Sequence, residues 1–267
     1  MTHIIPKMGS ACLAAGLRCD IDPTRDWKNR PKWQDRDTDY SLECGEIFGN
    51  KDKAMREFIT ERWTHILADS WQHLSLVVQC LILATIIAVV CAALSYQHPR
   101  LAALANNVST VGLTIPSFAL VGILIIPFGF GVLPAVIVVT FFATLPILRN
   151  AVVGLSEVDS NIVSAARGIG MSRLDTFFRV ELPLAWPVIL AGMRVSAQMT
   201  MGIAAVAAYA LGPGLGGYIF SGLSRLGGAN SFESVATGVI AVVILALLLD
   251  LALILLGRFT ISRGIRV

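Results

Sequence analysis

Residues 164–187 read SAARGIGMSRLDTFFRVELPLAWP and lie between two long apolar stretches. Charged residues, two glycines and two prolines follow one another here, although a turn of a few residues is enough to join two helices. In the whole chain of 267 residues, 55% of the residues are hydrophobic. Its mean hydropathy of +0.71 is too high for an ordinary soluble domain, so the composition predicts an integral membrane protein.

Apolar windows along the chain are long enough to cross a hydrocarbon core of about 30 Å, which requires about 20 helical residues. The predicted fold is therefore all-α, a polytopic membrane helix bundle of about five transmembrane helices within a domain over residues 70–260. Five crossings place the two termini on opposite sides. The predicted spans lie near 71–95, 104–126, 132–154, 186–210 and 235–257.

Arginines among the short connections indicate the orientation, because cytoplasmic loops carry an excess of positive residues. On the other side, the short connections carry only Arg225. This bias predicts a cytoplasmic loop over 155–185, a cytoplasmic C-terminal tail over 261–267 and an external N-terminus. The arginines that share the predicted cytoplasmic side are Arg100, Arg149, Arg167, Arg173, Arg179, Arg258, Arg263 and Arg266.

The N-terminal segment has a different composition. Residues 1–54 are too polar to bury a core, which predicts a disordered tail or, alternatively, a misread start with translation beginning at Met55. Apolar residues then recur at helical spacing, which predicts an amphipathic interfacial helix over 55–69. None of the five cysteines has metal-ligand spacing, so no metal site is predicted. If the tail is external, its three cysteines form one disulfide and leave one thiol, or all remain free.

The loop over 155–185 contains helix start and stop signals. Asp159 and Ser160 favour a helix N-terminus, and Gly170 favours its end. Ser172 is suited to cap a second helix, which Pro183 either ends or joins to the next span. Two short helices joined at a glycine predict a rigid projection formed by residues 155–185, the knob.

The spacing within this knob resembles a known motif. Ser164-Ala165-Ala166 is followed after three residues by Gly170 and after nine more by Val180-Glu181-Leu182-Pro183. The inner-membrane subunits of binding-protein-dependent ABC importers carry Glu-Ala-Ala, three residues, Gly, nine residues and Ile-x-Leu-Pro. The chain departs from that motif at Ser164, where the family has glutamate, and at Val180.

The resemblance extends over about residues 70–267. TIPSFALVGILIIPFGFGVLPAVIVVTFFATLPILRNAVVGL, residues 114–155, and GPGLGGYIFSGL, residues 212–223, are similar to permeases that import glycine betaine, choline and related osmoprotectants. The resemblance implies a permease subunit in the bacterial plasma membrane that forms the path for a quaternary amine. A methionine-type amino-acid importer is the alternative within transporters, and a channel or membrane scaffold is the alternative outside them.

The resemblance also implies partners: ABC ATPase subunits, a second permease that is identical or paralogous, an external solute-binding protein and the lipid bilayer. The chain has no lysine beyond Lys53 and no phosphate-binding loop, so it is not predicted to be an enzyme or to bind a cofactor. A net charge of +3 gives no indication of nucleic-acid binding. The arginines of the knob either pair with an acidic ATPase rim or hold the loop at anionic lipids. The predicted coupling residues are Ser164, Ala165, Ala166, Arg167, Gly168, Gly170, Arg173, Leu182 and Pro183.

Two further sets of residues are predicted within the membrane domain. Arg194 and Asp250 lie at similar depth in antiparallel spans, which predicts an ion pair facing the bundle interior, because intramembrane charges are costly without a partner. Packing is its expected role, and substrate contact is the alternative. A glycine-rich external stretch predicts a gate facing the binding protein, in which the glycines serve backbone geometry. The gate candidates are Gly212, Gly214, Gly216, Gly217 and Tyr218.

Overall fold

The structure, a computed structural model, describes residues 36–210, 213–228 and 230–260. The chain divides into two compact units, Met1–Lys51 and Asp52–Val267. In the first unit the described residues, 36–51, are helical, which differs from the predicted disorder. Extending a formed helix costs far less than starting one, so this segment is able to continue the helix that follows it despite its modest helix propensity. Of the N-terminal tail predicted over 1–54, residues 1–35 lie outside the described residues, as does the C-terminal tail over 261–267.

All the regular structure within the described residues is helical. The helix Arg173–Ala207 contains a π-helical turn at Phe177–Glu181 and is followed by a 3-10 turn at Ala208–Ala210. The helices are α1 Arg36–Ser95, α2 Pro99–Gly112, α3 Ser117–Phe128, α4 Val132–Ser156, α5 Ser160–Gly168, α6 Arg173–Ala207, α7 Gly216–Ser224 and α8 Ser231–Thr260.

Four of these helices are long and apolar enough to cross a membrane, within the described part of the chain: α1 from Lys53, α4, α6 and α8. A fifth span exists if α2 and α3, which are bent by 93°, are counted as one. The predicted straight span over 104–126 is therefore a broken pair. Pro116 precedes α3 as its N-cap and restricts Ile115 to extended backbone, which ends helical geometry before it.

Helix α1 continues without a break through the residues predicted to form a separate interfacial helix, 55–69. Neither glycine nor proline occurs between Gly49 and Pro99, so no residue favours a helix end there. The 43 residues from Lys53 to Ser95 are about 65 Å long, roughly twice the thickness of the hydrocarbon core.

The core of the bundle lies between α4 and α6, where small residues allow the two backbones to approach closely. A Cβ added to Gly154 would lie 3.2 Å from the carbonyl oxygen of Ala185. Ser196 crosses the same interface, and its hydroxyl donates a hydrogen bond of 2.8 Å to the carbonyl oxygen of Ala143. The α4–α6 pair is thus the rigid element from which the loop over 155–185 extends.

Helices α7 and α8 form a hairpin at the opposite end of α6 from that loop. A Cβ on Gly238 would lie 2.8 Å from the Ile219 side chain. The Ser231 hydroxyl donates a hydrogen bond of 2.8 Å to the carbonyl oxygen of Gly222. Close packing therefore fixes the short helix α7 against the long helix α8.

Candidate functional site

The first helix of the knob, α5, has a defined start and end. Asp159 caps it, and the carboxylate accepts a hydrogen bond of 2.8 Å from the backbone N–H of Asn161. At its end, the carbonyl oxygen of Arg167 accepts a hydrogen bond from the N–H of Gly170, and the carbonyl oxygen of Ala166 accepts one from the N–H of Met171. With Gly170 at a φ of +91°, this is a Schellman motif, which favours glycine at that position.

The second helix of the knob continues directly into the membrane domain. Ser172 caps it, and its hydroxyl accepts a hydrogen bond of 3.1 Å from the N–H of Asp175. The sequence predicts that Pro183 either ends the second helix or joins it to the next span. In the structure it joins them, because the helix runs on through Pro183 to Ala207. Proline has no N–H to donate to the carbonyl of Arg179, and the π turn at Phe177–Glu181 lies at this point in the helix.

Most of the predicted coupling residues lie on the exposed surface of the knob. Ala166 is buried, so it serves packing within the knob, and Leu182 is half-buried. Ile169, an apolar residue outside the predicted coupling set, is 82% exposed at the end of α5. The remaining coupling residues are all exposed: Ser164, Ala165, Arg167, Gly168, Gly170, Arg173 and Pro183.

The knob also contacts the end of α1 through a pair that sequence reasoning missed. The Tyr96 hydroxyl donates a hydrogen bond of 2.5 Å to the Oε2 atom of Glu181, and Gln97 donates one of 2.6 Å to that hydroxyl. Glu181 is only 3% exposed. Burial, and next the hydrogen bond to Glu181, raise the pKa of Tyr96 above its ordinary value. In the sequence, Glu181 is an acid between the apolar residues Val180 and Leu182, and its partner lies 85 residues away.

The predicted ion pair is present as a two-point contact between α6 and α8. Arg194 Nε lies 2.8 Å from Asp250 Oδ1, and Arg194 Nη2 lies 3.0 Å from Oδ2. The pair does not face a closed interior, because the Arg194 side chain is 40% exposed and that of Asp250 16%. Arg194 lines an open groove of about 260 Å³ with residues of α6 and α8.

The predicted gate residues differ in their packing. Gly214 has a φ of +115° and lies against the buried His73 of α1, whose Nδ1 atom would be 2.7 Å from an added Cβ. Gly216 lies against the carbonyl oxygen of Ala205, whereas a Cβ on Gly217 would meet nothing within 4 Å. Tyr218 is half-buried. Gly212 lies outside the described residues.

Curated relatives cover most of the chain. The carnitine transport permease protein OpuCB of Listeria monocytogenes is 36% identical over 75% of this chain and 90% of its own length. The osmoprotectant import permease protein OsmW of Salmonella typhimurium is 37% identical over 74% of this chain and 92% of its own. The choline transport system permease protein OpuBB of Bacillus subtilis is 31% identical over 79% of this chain and 95% of its own length.

A solved structure has the same fold. It is a chain of the MetNI methionine ABC transporter in an inward-facing conformation, with a TM-score of 0.61 and 21% identity over 74% of this chain and 96% of that one. Residues 84–261 match the family described as the binding-protein-dependent transport system inner membrane component. Since that match includes the knob, the α4–α6 core and most of the membrane domain, the chain belongs to this family of importer permeases.

Proposed function

We propose that this permease subunit forms the translocation path for a small quaternary amine, such as glycine betaine or choline, delivered by an external binding protein. The observation that carries the proposal is the similarity, over three quarters of the chain, to permeases named for carnitine, choline and osmoprotectants. The MetNI chain is similar in fold but is named for methionine, so methionine is the substrate to test against.

An assay of uptake in a strain lacking the chain's gene separates these substrates. Radiolabelled glycine betaine, choline and methionine are supplied at equal concentration, and the deletion strain is compared with one that expresses the chain. Restored uptake of betaine or choline without methionine supports the proposal. Restored methionine uptake, or no difference for betaine and choline, contradicts it.

ATP hydrolysis in this importer is assigned to a partner ATPase that docks on the knob. The exposed positions Ala165 and Gly170 allow close approach of a partner surface, and Arg167 and Arg173 supply charge for an acidic rim. Ile169 adds an exposed apolar side chain at the same end of the knob. A rigid helical projection of this kind is able to transmit a rigid-body shift from an ATPase to the membrane helices.

Docking is tested by placing a bulky charge on the knob. Ala165→Arg should abolish co-purification of the ATPase, because a long charged side chain then occupies the contact surface. Leu226→Arg adds the same charge at a residue that is 76% exposed beyond α7, and it should leave co-purification intact. ATPase binding by the Ala165→Arg chain at the level of Leu226→Arg would refute docking at this surface.

The knob and the C-terminus are assigned to the cytoplasm and the N-terminus to the outside, on the arginine bias of the connections. Single cysteines at Ile169 and Leu226, both highly exposed, test this in a chain whose five native cysteines are replaced. A membrane-impermeant maleimide should label Leu226→Cys in intact cells and Ile169→Cys only after permeabilisation. The opposite labelling pattern would reverse the assignment.

A further inference from the structure

The knob meets the cytoplasmic end of α1 through a hydrogen bond that joins two distant parts of the chain. The donor, Tyr96, directly follows the last residue of α1, and the acceptor, Glu181, ends the π turn of α6. A hydrogen bond to an ionised acceptor is stronger than one between neutral groups. Glu181 is almost fully buried, and a buried acceptor that loses its partner destabilises the protein.

Open space lies on both sides of this contact. A cavity of about 360 Å³ separates α1 from the second helix of the knob, and one of about 420 Å³ adjoins the end of α4 and α5. The hydrogen bond between Tyr96 and Glu181 therefore lies between two cavities. Both are lined by Tyr96, Gln97, Arg167 and Glu181.

Glu181 also occupies the region where the family motif places a different acid. Ser164 replaces the family's glutamate and lines the cavity of about 420 Å³, which Glu181 lines as well. The carboxylate that faces this space thus comes from the second helix of the knob. The π turn of which Glu181 is the last residue is a type that occurs frequently at functional sites.

We propose that Tyr96 and Glu181 are positioning residues that transmit the displacement of the knob to α1 when the partner ATPase moves. This inference rests on the proposed function, since it assigns the route by which ATP hydrolysis reaches the first membrane helix. The hydrogen bond makes the knob and the end of α1 move together, whereas the two cavities leave room for each to move separately once the bond is lost.

The test uses the complete complex, purified with its ATPase and reconstituted in vesicles together with the external binding protein, with glycine betaine as the probe. Tyr96→Phe removes the hydroxyl and keeps the ring, Glu181→Ala removes the acceptor, and Glu181→Gln keeps an acceptor oxygen. Thr85→Val is the matched control, because that hydroxyl donates to Leu81 within α1. The first measurement is the amount of betaine transported per ATP hydrolysed.

Tyr96→Phe and Glu181→Ala should each lower this ratio by about tenfold, the effect of losing a hydrogen bond to a charged group. The double variant should fall no further, and Glu181→Gln should regain part of the ratio, because its amide oxygen accepts the phenol hydrogen without the charge. The amount of bound ATPase should not change in any variant. A ratio for Tyr96→Phe at the level of Thr85→Val, or additive losses in the double variant, would overturn the proposal.

A second measurement does not depend on the substrate. Cys91 is exposed on α1 near Tyr96, and a fluorescent label on it, with the other four cysteines replaced, reports movement of α1. ATP should change this signal in the otherwise native complex and not in Tyr96→Phe, whereas a persisting change in Tyr96→Phe would overturn the proposal. If the label responds as expected but neither betaine nor choline is transported, the substrate assignment fails and the role of the pair stands.

Discussion

At the scale of single residues, Gly216 and Gly217 show how adjacent glycines serve different purposes. A Cβ on Gly216 would lie 2.1 Å from the carbonyl oxygen of Ala205 and 2.5 Å from the Cβ atom of Ala208. These distances are impossible without a backbone shift. A Cβ on Gly217 would meet nothing within 4 Å. The glycine-rich stretch is therefore required for packing at Gly216 and not at Gly217.

Gly216→Ala should destabilise the membrane domain by about 1–3 kcal/mol, the usual cost of overpacking. Gly217→Ala should be neutral or stabilise it by up to about 1 kcal/mol, because alanine is the better helix former in α7. Thermal unfolding of both variants in detergent measures the difference. Equal unfolding temperatures would show that α7 does not pack against α6 as closely as the structure has it.

The contact between Arg194 and Asp250 follows from the sequence because each charge in the membrane needs a partner and the spans are antiparallel. The exposure of the ion pair does not follow from the sequence. Whether Arg194 faces an interior or an open groove depends on which side of α6 is covered by α8, and the apolar residues of α8 occur around most of its circumference. Periodicity therefore gives no preferred face for that helix.

Removing one partner of this ion pair should be worse than removing both. Arg194→Leu leaves the Asp250 carboxylate without its charged partner but with the hydrogen bond from Gln198. We expect a loss of about 1–3 kcal/mol, below the cost in a dry core because the arginine is partly exposed. Arg194→Leu/Asp250→Leu should recover part of this loss. Arg225→Leu removes an exposed arginine elsewhere and should change stability by less than about 0.5 kcal/mol.

Thermal unfolding in lipid nanodiscs separates these cases. The informative comparison is between the single and the double variant at matched lipid composition. A double variant less stable than Arg194→Leu would mean that the hydrogen bond of Asp250 with Gln198 stabilises the protein more than the ion pair does.

At the scale of helices, local signals predicted the knob better than the spans. Asp159, Gly170 and Ser172 act through hydrogen bonds to residues close by in the sequence. Their roles can therefore be predicted from the sequence alone. The 93° bend between α2 and α3 and the burial of Glu181 depend on distant residues. The bend brings Gly112 against Leu145 of α4, and no hydropathy window contains that information.

The end of α5 provides a test at this scale. Gly170→Ala should destabilise the Schellman motif by about 1–2 kcal/mol, because a Cβ at a φ of +91° is strained. Gly168→Ala has no such strain and open space around it, and should favour α5. Amide hydrogen exchange of residues 160–171 should accelerate in the first variant and slow in the second. Equal exchange in the two would show that the left-handed backbone at Gly170 is not needed.

For the whole molecule, the family match covers residues 84–261, which include most of the membrane domain. The relatives compared above cover 74–79% of this chain but 90–95% of their own lengths. Within the described residues, helix α1 packs on the bundle from near Met55 onward. The Thr237 hydroxyl of α8 lies 3.7 Å from the Met55 sulfur, and Phe58 is buried. We therefore expect Met55 and Phe58 to contribute to the stability of the first span.

A chain lacking residues 2–54 should insert and transport betaine to within about twofold of the full chain, since it keeps the contacts of Met55 and Phe58. A chain lacking residues 2–69 still has enough apolar residues to cross the bilayer. It loses the buried Phe58, which contributes about 1.5–3 kcal/mol, so its unfolding temperature in detergent should fall while the shorter deletion leaves it unchanged. Loss of insertion or uptake on deleting residues 2–54 would instead assign the polar N-terminal segment a necessary role in the importer.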